Sequence, residues 1–242
     1  MVDKFYPLCY SEKIQPYYQN KGISYLSCFR CKLVFMSKTH HLNDAEEKLR
    51  YDAHQNYPND KHYQAFLSQV LNPVIAHLKK QGFNTSKASA KGLDFGCGPG
   101  STLSLMFERQ RYQVDLFDKF YANNPAVFKQ SYHFIAATEV VEHLSAPNVE
   151  LRRLFGCLKK GGVLAIMTQM RDDKTDLLLG ITKMILRIFV FFQKIRCTTW
   201  QINGKQKFRF LAVMLFYLRH NKTIFKNPSA IYKIQETAHS LS

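Results

Sequence analysis

Residues 92–100 read GLDFGCGPG. An apolar segment runs directly into Gly96, Gly98 and Gly100, and the sequence STLSLMFERQ that follows has the apolar spacing of a helix. Glycine lets the backbone turn sharply and approach a ligand closely in front of a helix N-terminus. The stretch therefore predicts a strand, a ligand-binding turn and a helix, an arrangement that also suits dinucleotides.

Strand-like and helix-like segments alternate around this turn. The strand-like segments are KGLDF, YQVDLF, YHFIAAT and GVLAIMT, and the helix-like ones lie near 101–110, 139–144 and 147–158. This rhythm predicts an α/β fold with a doubly wound, mostly parallel sheet. Asp118 ends the second strand, eighteen positions after Gly100. A carboxylate at that point can accept hydrogen bonds from both hydroxyls of a ribose.

GLDFGCGPG and VDLFD resemble the first motif and the second-strand acid of class I S-adenosylmethionine-dependent methyltransferases, over roughly residues 44–176. The resemblance implies a Rossmann-like class I fold and transfer of the cofactor's methyl group to an acceptor, with oxygen favoured. The cofactor-binding residues it implies are Asp94, Gly96, Cys97, Gly98, Gly100, Asp118, Thr138 and Glu139. The alternative is a tight turn before a helix, with Asp118 solvated.

YHFIAATEVVEHL resembles the fourth strand and following turn of these enzymes, with His133 where the family usually has Asp. Glu139, Glu142 and His143 also resemble the metal-binding run of small-RNA 2′-O-methyltransferases and quinone-biosynthesis O-methyltransferases. The resemblance implies that they converge on a divalent cation, zinc or magnesium, which would polarise an acceptor hydroxyl. Alternatively, His143 or Glu142 is the catalytic base, or the turn is an ordinary exposed one.

Residues 5–36 alternate aromatic and polar residues around a CxxC motif, as small β-hairpins and zinc ribbons do. The available thiol ligands are Cys9, Cys28 and Cys31. A closed tetrahedral zinc site needs four ligands, and Tyr6 stands where the first cysteine would be. The sequence favours a degenerate ribbon that holds substoichiometric zinc, unless His40 or His41 completes the site.

Apolar residues recur at helical spacing between the ribbon and the glycine loop, with Pro58 and Pro73 as breaks or kinks. His54 and Tyr63 from this lead-in are candidates to cover the cofactor. Together with the preceding hairpin, the lead-in resembles a bacterial group in which a small ribbon precedes the methyltransferase fold. The predicted segments are 1–40 (ribbon), 41–90 (helical lead-in), 91–176 (cofactor-binding core) and 177–242 (basic hydrophobic tail).

The tail changes character abruptly. Residues 177–242 hold 11 Lys and Arg against one acid, so they contribute +10 of the formal charge of +16. Lys183 and Arg187 interrupt its apolar run, which argues against a membrane span. The N-terminus has no apolar signal segment, so we expect a cytoplasmic protein with reduced cysteines. A nucleic-acid partner for the tail has no strong support.

A one-base shift of the reading frame explains the tail. From Leu179 onward, LGITKMILRIFVFFQKIRCTTWQ can be recoded as WHYKNDPTHICFFSKNTMYYLA by joining the third base of each codon to the next two bases. This recoded segment resembles the W-H-Y…D-P-T-H run that follows the fifth strand in the bacterial group. The single codons of Met184 and Trp200 leave almost no freedom there. We therefore predict that a base was lost near Leu177 and that the closing strands are missing or replaced.

The sequence thus predicts a methyltransferase whose acceptor, small molecule or macromolecule, is unidentified. The alternative is a catalytically impaired remnant that still binds the cofactor, since the glycine loop and Asp118 are present in both cases. A genuine extension that docks on a membrane or a partner is the alternative explanation of the tail.

Overall fold

The structure is a computed structural model that divides into two compact units. The residues it describes are 7–9, 11–31, 33–53, 57–83, 89–168, 170–171, 190–193, 200–202, 206–208 and 211–212. The ribbon unit comprises residues 1–55, 139–153 and 168–195, and the sheet unit comprises residues 56–138, 154–167 and 196–242. Because each unit is assembled from separate stretches, the consecutive segments predicted from the sequence stay a prediction.

The ribbon unit contains a small antiparallel sheet at the N-terminus. Its first strands are β1 (Ile14–Asn20), β2 (Ile23–Cys28) and β3 (Val34–Met36). Lys21 and Gly22 between β1 and β2 both have positive φ, at 46° and 82°, as the central residues of a type I′ hairpin turn do. The predicted small hairpins are therefore confirmed.

Two short strands and a helix complete the described part of this unit. The strands β8 (Met170–Arg171) and β9 (Val190–Gln193) extend the sheet in the order β1-β2-β3-β9-β8. Helix α1 (Asp44–Asp52) starts at Asn43, whose side chain and that of Glu46 form a reciprocal capping box. Short 3-10 helices span Lys38–His40 and Val141–His143.

The sheet unit is built on a parallel sheet. Its strands are β4 (Lys91–Phe95), β5 (Gln113–Phe117), β6 (Tyr132–Thr138), β7 (Leu158–Met167) and β12 (Leu211–Ala212), and their order is β12-β7-β6-β4-β5. Its helices are α2 (Lys61–Lys80), α3 (Thr102–Arg109) and a 3-10 helix at Pro125–Lys129. Helix α4 (Pro147–Gly156) begins in the ribbon unit, to which residues 147–153 belong, and precedes β7 along the chain. Strand β10 (Trp200–Ile202) pairs with β11 (Gln206–Phe208).

The core of the sheet unit lies between α2, α3 and one face of the sheet. The alternating residues Phe134 and Ala136 of β6 pack there with Phe107 of α3, all three fully buried. Phe134 lies directly over the backbone of Gly92, so that a Cβ at this position would overlap the aromatic ring. The first glycine of GLDFGCGPG therefore serves close packing between β4 and β6.

The predicted α/β fold with a mainly parallel sheet is confirmed. The segments KGLDF and YHFIAAT are strands β4 and β6 with the predicted bounds, and α2 continues through Pro73. The helix predicted near 139–144 is instead a single 3-10 turn at Val141–His143, because Glu139 has a left-handed backbone with φ 53°. None of the helices in the described ranges has the length and apolar character needed to cross a membrane.

Most of the tail lies outside the described residues. Within it, β12 pairs in parallel with β7 over two residue pairs, Leu211 with Ala165 and Ala212 with Ile166. The predicted frameshift stays a prediction, because these short strands do not test the origin of the tail.

Candidate active site

The glycine loop lies at the carboxyl end of β4. Gly96 and Gly98 have positive φ, at 77° and 62°, a conformation that side chains strongly disfavour. The Gly96 N–H donates to the Phe117 carbonyl at 2.7 Å, which attaches the loop to the end of β5. A Cβ built at Gly98 would meet no heavy atom within 4 Å. The loop therefore turns tightly and leaves open space beside its backbone, as a ligand cradle requires.

Asp118 follows β5 and binds the same loop. Its Oδ2 accepts a hydrogen bond from the Gly98 N–H at 3.0 Å. Its Oδ1 accepts from the N–H groups of Phe120 at 2.8 Å and Tyr121 at 3.2 Å. The carboxylate is therefore fixed at the strand end, and about one of its four lone-pair positions remains for another donor.

Asp94 carries a buried carboxyl group, one oxygen of which accepts no hydrogen bond. Its side chain is 2% exposed, and Oδ1 has no hydrogen-bond partner. Burial and the nearby Asp118 charge raise the pKa of Asp94 to about 7, against the effect of the Ser104 N–H, which donates to it. Desolvation of this kind favours a positively charged or hydrogen-donating ligand beside the carboxyl group.

The remaining residues of the predicted loop have supporting positions. Burial raises the pKa of the Cys97 thiol to about 12, so this thiol is neutral and is no nucleophile at physiological pH. Gly100 precedes Ser101, which starts α3 with a left-handed backbone at φ 36°. Non-glycine residues in this region are uncommon and cluster at ligand sites, so Ser101 extends the strained turn. Thr138 is the last residue of β6.

Glu139 and Glu142 follow β6 along the chain and belong to the ribbon unit. Burial raises the pKa of Glu139 to about 7. Glu142 is 4% exposed and its Oε2 has no hydrogen-bond partner. Burial, followed by the Glu139 charge, raises the pKa of Glu142 to about 8. Both carboxyl groups can therefore exchange protons near neutral pH.

The structure does not bring Glu139, Glu142 and His143 together as metal ligands. Among the described residues, the cysteine set of the ribbon is the one group of three or more potential ligands whose atoms converge. The backbone in this stretch is a single 3-10 turn at Val141–His143, which follows a left-handed Glu139. The His143 ring instead packs edge-on against Tyr51, with centroids 5.7 Å apart.

The other histidine and tyrosine candidates differ in their placement. His133 accepts a hydrogen bond from the Lys91 N–H at 2.9 Å, and burial followed by the Lys159 charge lowers its pKa. This neutral ring joins β4 to β6, which is a structural role. Tyr63 stacks on Phe66 at 6.2 Å, beside the core of the sheet unit. His54 lies outside the described residues.

Sequence reasoning missed Thr168, whose buried side chain lies beside Glu142 and opposes the rise of the Glu142 pKa. It directly follows Met167, the last residue of β7. Ligands of parallel α/β sheets bind outside the carboxyl ends of the strands. The position of Thr168 as the first polar residue after an apolar strand could therefore have identified it as a candidate site residue.

Comparison with known protein families gives the class of this protein. A family model described as Methyltransferase domain matches residues 60–207, more than half of the 242-residue chain. The chain belongs to this methyltransferase domain family, which is a family of enzymes. Membership implies methyl transfer with S-adenosylmethionine as the donor. The match continues past Leu177, and comparison with curated proteins gives no match.

Proposed function

We propose that this chain binds S-adenosylmethionine at the glycine loop and transfers its methyl group to an acceptor hydroxyl. The observation that carries the proposal is the junction of Gly98 and Asp118, with the unpartnered Oδ1 of Asp94 beneath the same loop. The family match supports the reaction class, and the loop geometry supports the placement of the cofactor.

The residues present fit this cofactor. Open space beside Gly98 accommodates a ligand, and the Asp118 carboxylate can accept from ribose hydroxyls at the end of β5. Asp94 supplies an unmet acceptor and, when ionised, a negative charge for the cationic end of the molecule. When bound, the cofactor supplies an electrophilic methyl group on a sulfonium sulfur.

The chain's own contribution to catalysis is positioning and proton removal. A hydroxyl acceptor must lose its proton as it attacks, and a base whose pKa lies near the working pH does this best. Glu142, with a pKa of about 8, and His143 are the proposed bases. A metal-assisted route has less support, because Glu139, Glu142 and His143 do not converge among the described residues.

The test combines binding with turnover. Calorimetry should show S-adenosylmethionine binding to the full chain, and incubation with a panel of hydroxylated and amine acceptors should form S-adenosylhomocysteine with the hydroxylated ones. Glu142→Gln should retain cofactor binding and lose most of the turnover. Binding that is absent from a folded chain would reject the cofactor site, and methylation confined to amine acceptors would reject the hydroxyl preference.

A second candidate function is a methyltransferase remnant that binds the cofactor without turning it over. The observation that favours it is the change of sequence character at Leu177, with the recoding that restores a family-like segment. Cofactor binding occurs in both cases, so S-adenosylhomocysteine formation separates them. Turnover by the unaltered chain would exclude the remnant.

A further inference from the structure

The ribbon unit holds three cysteine side chains around one point. The Sγ atoms of Cys9, Cys28 and Cys31 all lie within 4.8 Å of one another, and the Cys9 and Cys28 sulfurs are 3.4 Å apart. Sulfurs around a tetrahedral zinc ion, with bonds of about 2.3 Å, lie about 3.8 Å apart. A disulfide would require about 2.05 Å. The observed spacing therefore fits three ligands of one ion, and all three thiols are free.

The backbone after β2 is built around two of these sulfurs. The N–H groups of Arg30 and Cys31 donate to the Cys28 sulfur, and the Leu33 N–H donates to the Cys31 sulfur. The Cys28 N–H donates to the Leu33 carbonyl at 2.9 Å, which closes the turn. The turn therefore directs backbone N–H donors toward two of the three sulfurs.

A cavity of about 10 Å³ adjoins the sulfurs. This is close to the space that one water molecule or one metal ion needs. Its other walls are mainly apolar and include Leu8, Ile14 and Leu33. In the part of the chain that the structure describes, no His, Cys, Asp or Glu joins the three cysteines as a fourth ligand.

We infer that the three cysteines bind one zinc ion as thiolates and that its fourth position takes an exchangeable ligand, water or a thiolate from solution. Zinc sites with three protein ligands keep such an open position, and a soft thiolate suits an ion already held by sulfur. Binding converts three thiols to thiolates and releases three protons. The inference revises the degenerate ribbon expected from the sequence, and it does not depend on the proposed methyl transfer.

The site also connects to α4 within the same unit. The Asn148 N–H donates to the Pro7 carbonyl at 3.0 Å, and the Asn148 side-chain amide donates to the Leu8 carbonyl. The loop that carries Cys9 is therefore attached to the first turn of α4. Zinc should hold this attachment in place, because it fixes the loop to the turn after β2.

Elemental analysis of the full chain, purified with a reductant, tests the stoichiometry. We expect about one zinc per chain and at least a tenfold loss in Cys28→Ser. The buried Cys157, which lies in the sheet unit, provides a matched control, and Cys157→Ser should keep its zinc. If Cys28→Ser does not fold, the metal is removed from the unaltered chain with a chelator and zinc is added back, with circular dichroism to monitor folding. A folded chain without zinc, or one with a Cys9–Cys28 disulfide, would overturn the inference.

Cobalt substitution tests the open position. Co²⁺ bound by three thiolates should give an intense sulfur-to-metal band and visible bands of tetrahedral geometry. Added 2-mercaptoethanol should shift the visible bands and strengthen the sulfur-to-metal band, since a fourth thiolate replaces water. Spectra that stay unchanged across the titration would show a closed site and refute the exchangeable ligand.

Discussion

The Gly98 N–H donates a hydrogen bond to Oδ2 of Asp118 at 3.0 Å, which joins the turn after β4 to the end of β5. The Phe120 and Tyr121 N–H groups donate to the other carboxylate oxygen. Three of about four lone-pair positions are therefore used inside the chain. Two ribose hydroxyls can bind Asp118 only if one of these contacts is shared or released, so cofactor binding should weaken at least one of the three backbone hydrogen bonds.

Replacing Asp118 with alanine should weaken S-adenosylmethionine binding. Hydrogen bonds to a charged group contribute about 1.5–3 kcal/mol, so we expect roughly a tenfold to hundredfold rise in Kd by calorimetry. Asp52→Ala is the matched control, because Asp52 is a surface carboxylate paired with Lys48. Equal affinity of the Asp118 variant and the unaltered chain would reject this placement of the ribose.

Cofactor affinity should depend on the ionisation of Asp94, whose pKa is raised to about 7. A cationic cofactor favours the ionised carboxylate, so binding below pH 7 must release a proton and should weaken by up to about tenfold per pH unit. Calorimetry in buffers of different ionisation enthalpy measures the released proton directly. Asp94→Asn should bind more weakly at pH 8 and lose this pH dependence. A persistent proton release in that variant would assign the titration to another group.

Glu142 should make the folded chain less stable as the pH rises. Its pKa is raised from 4.5 to about 8, so between these values the folded chain keeps a proton that the unfolded chain has released. The stabilising contribution is complete below pH 4.5 and is lost through pH 8. By pH 7 the loss of stability amounts to about 3 kcal/mol.

Denaturant unfolding of Glu142→Gln across pH 4.5–8 measures this contribution. The neutral amide cannot ionise, so the free energy of unfolding should fall less steeply with pH than in the unaltered chain. Glu108→Gln is the matched control, since Glu108 is exposed on α3. Parallel curves for Glu142→Gln and the unaltered chain would contradict the raised pKa.

Gly92→Ala should destabilise the sheet unit. The added Cβ would overlap the ring of the fully buried Phe134, and overpacking of a core typically costs about 1–3 kcal/mol. Gly156→Ala is the control, because a Cβ there meets no heavy atom within 4 Å and alanine favours a helix. Thermal unfolding should show a lower Tm for the first variant alone. Similar Tm values for the two variants would contradict this prediction. They would mean that β4 and β6 can move apart to accept the added Cβ with no loss of stability.

Local pattern predicted the strands and the glycine turn because their signals lie close together in the sequence. Glycines at alternate positions, followed by Asp118 at the end of the next strand, specify a turn and an acceptor without knowledge of packing. The unmet acceptor of Asp94 and the burial of Glu142 depend on tertiary contacts, which no local pattern carries. The spacing of the ExxEH run suggested convergence, and among the described residues Glu139, Glu142 and His143 do not form a group of converging ligand atoms.

For the cysteines, too, the sequence pattern could not show which side chains meet in the folded protein. The ribbon segment contains Cys9, Cys28 and Cys31 but no fourth cysteine, so the sequence favoured a ribbon with little zinc. Convergence of the three sulfurs depends on how β2 and the loop at residues 7–9 fold together. Spacing alone could indicate the ligands but not whether they meet.

The frameshift prediction concerns the edge of the sheet beside β7. If the tail is not a selected sequence, the strands that should cover this edge are missing, and exposed edges and unmatched apolar residues lower stability and promote aggregation. In the described residues, β12 covers β7 over only two residue pairs. The unaltered chain should therefore be marginally stable.

Insertion of one base at codon 177, which restores the recoded tail, should raise both the Tm and the rate of S-adenosylhomocysteine formation with hydroxylated acceptors. Two effects act together, because the restored segment supplies strands matched to the sheet and returns the histidines that face the active site in the resembling bacterial group. Insertion of three bases at the same codon is the matched control, since it adds one residue and leaves the frame unchanged. A repaired chain that is less stable and less active than the unaltered one would refute the frameshift, and residues 177–242 would then be a functional extension.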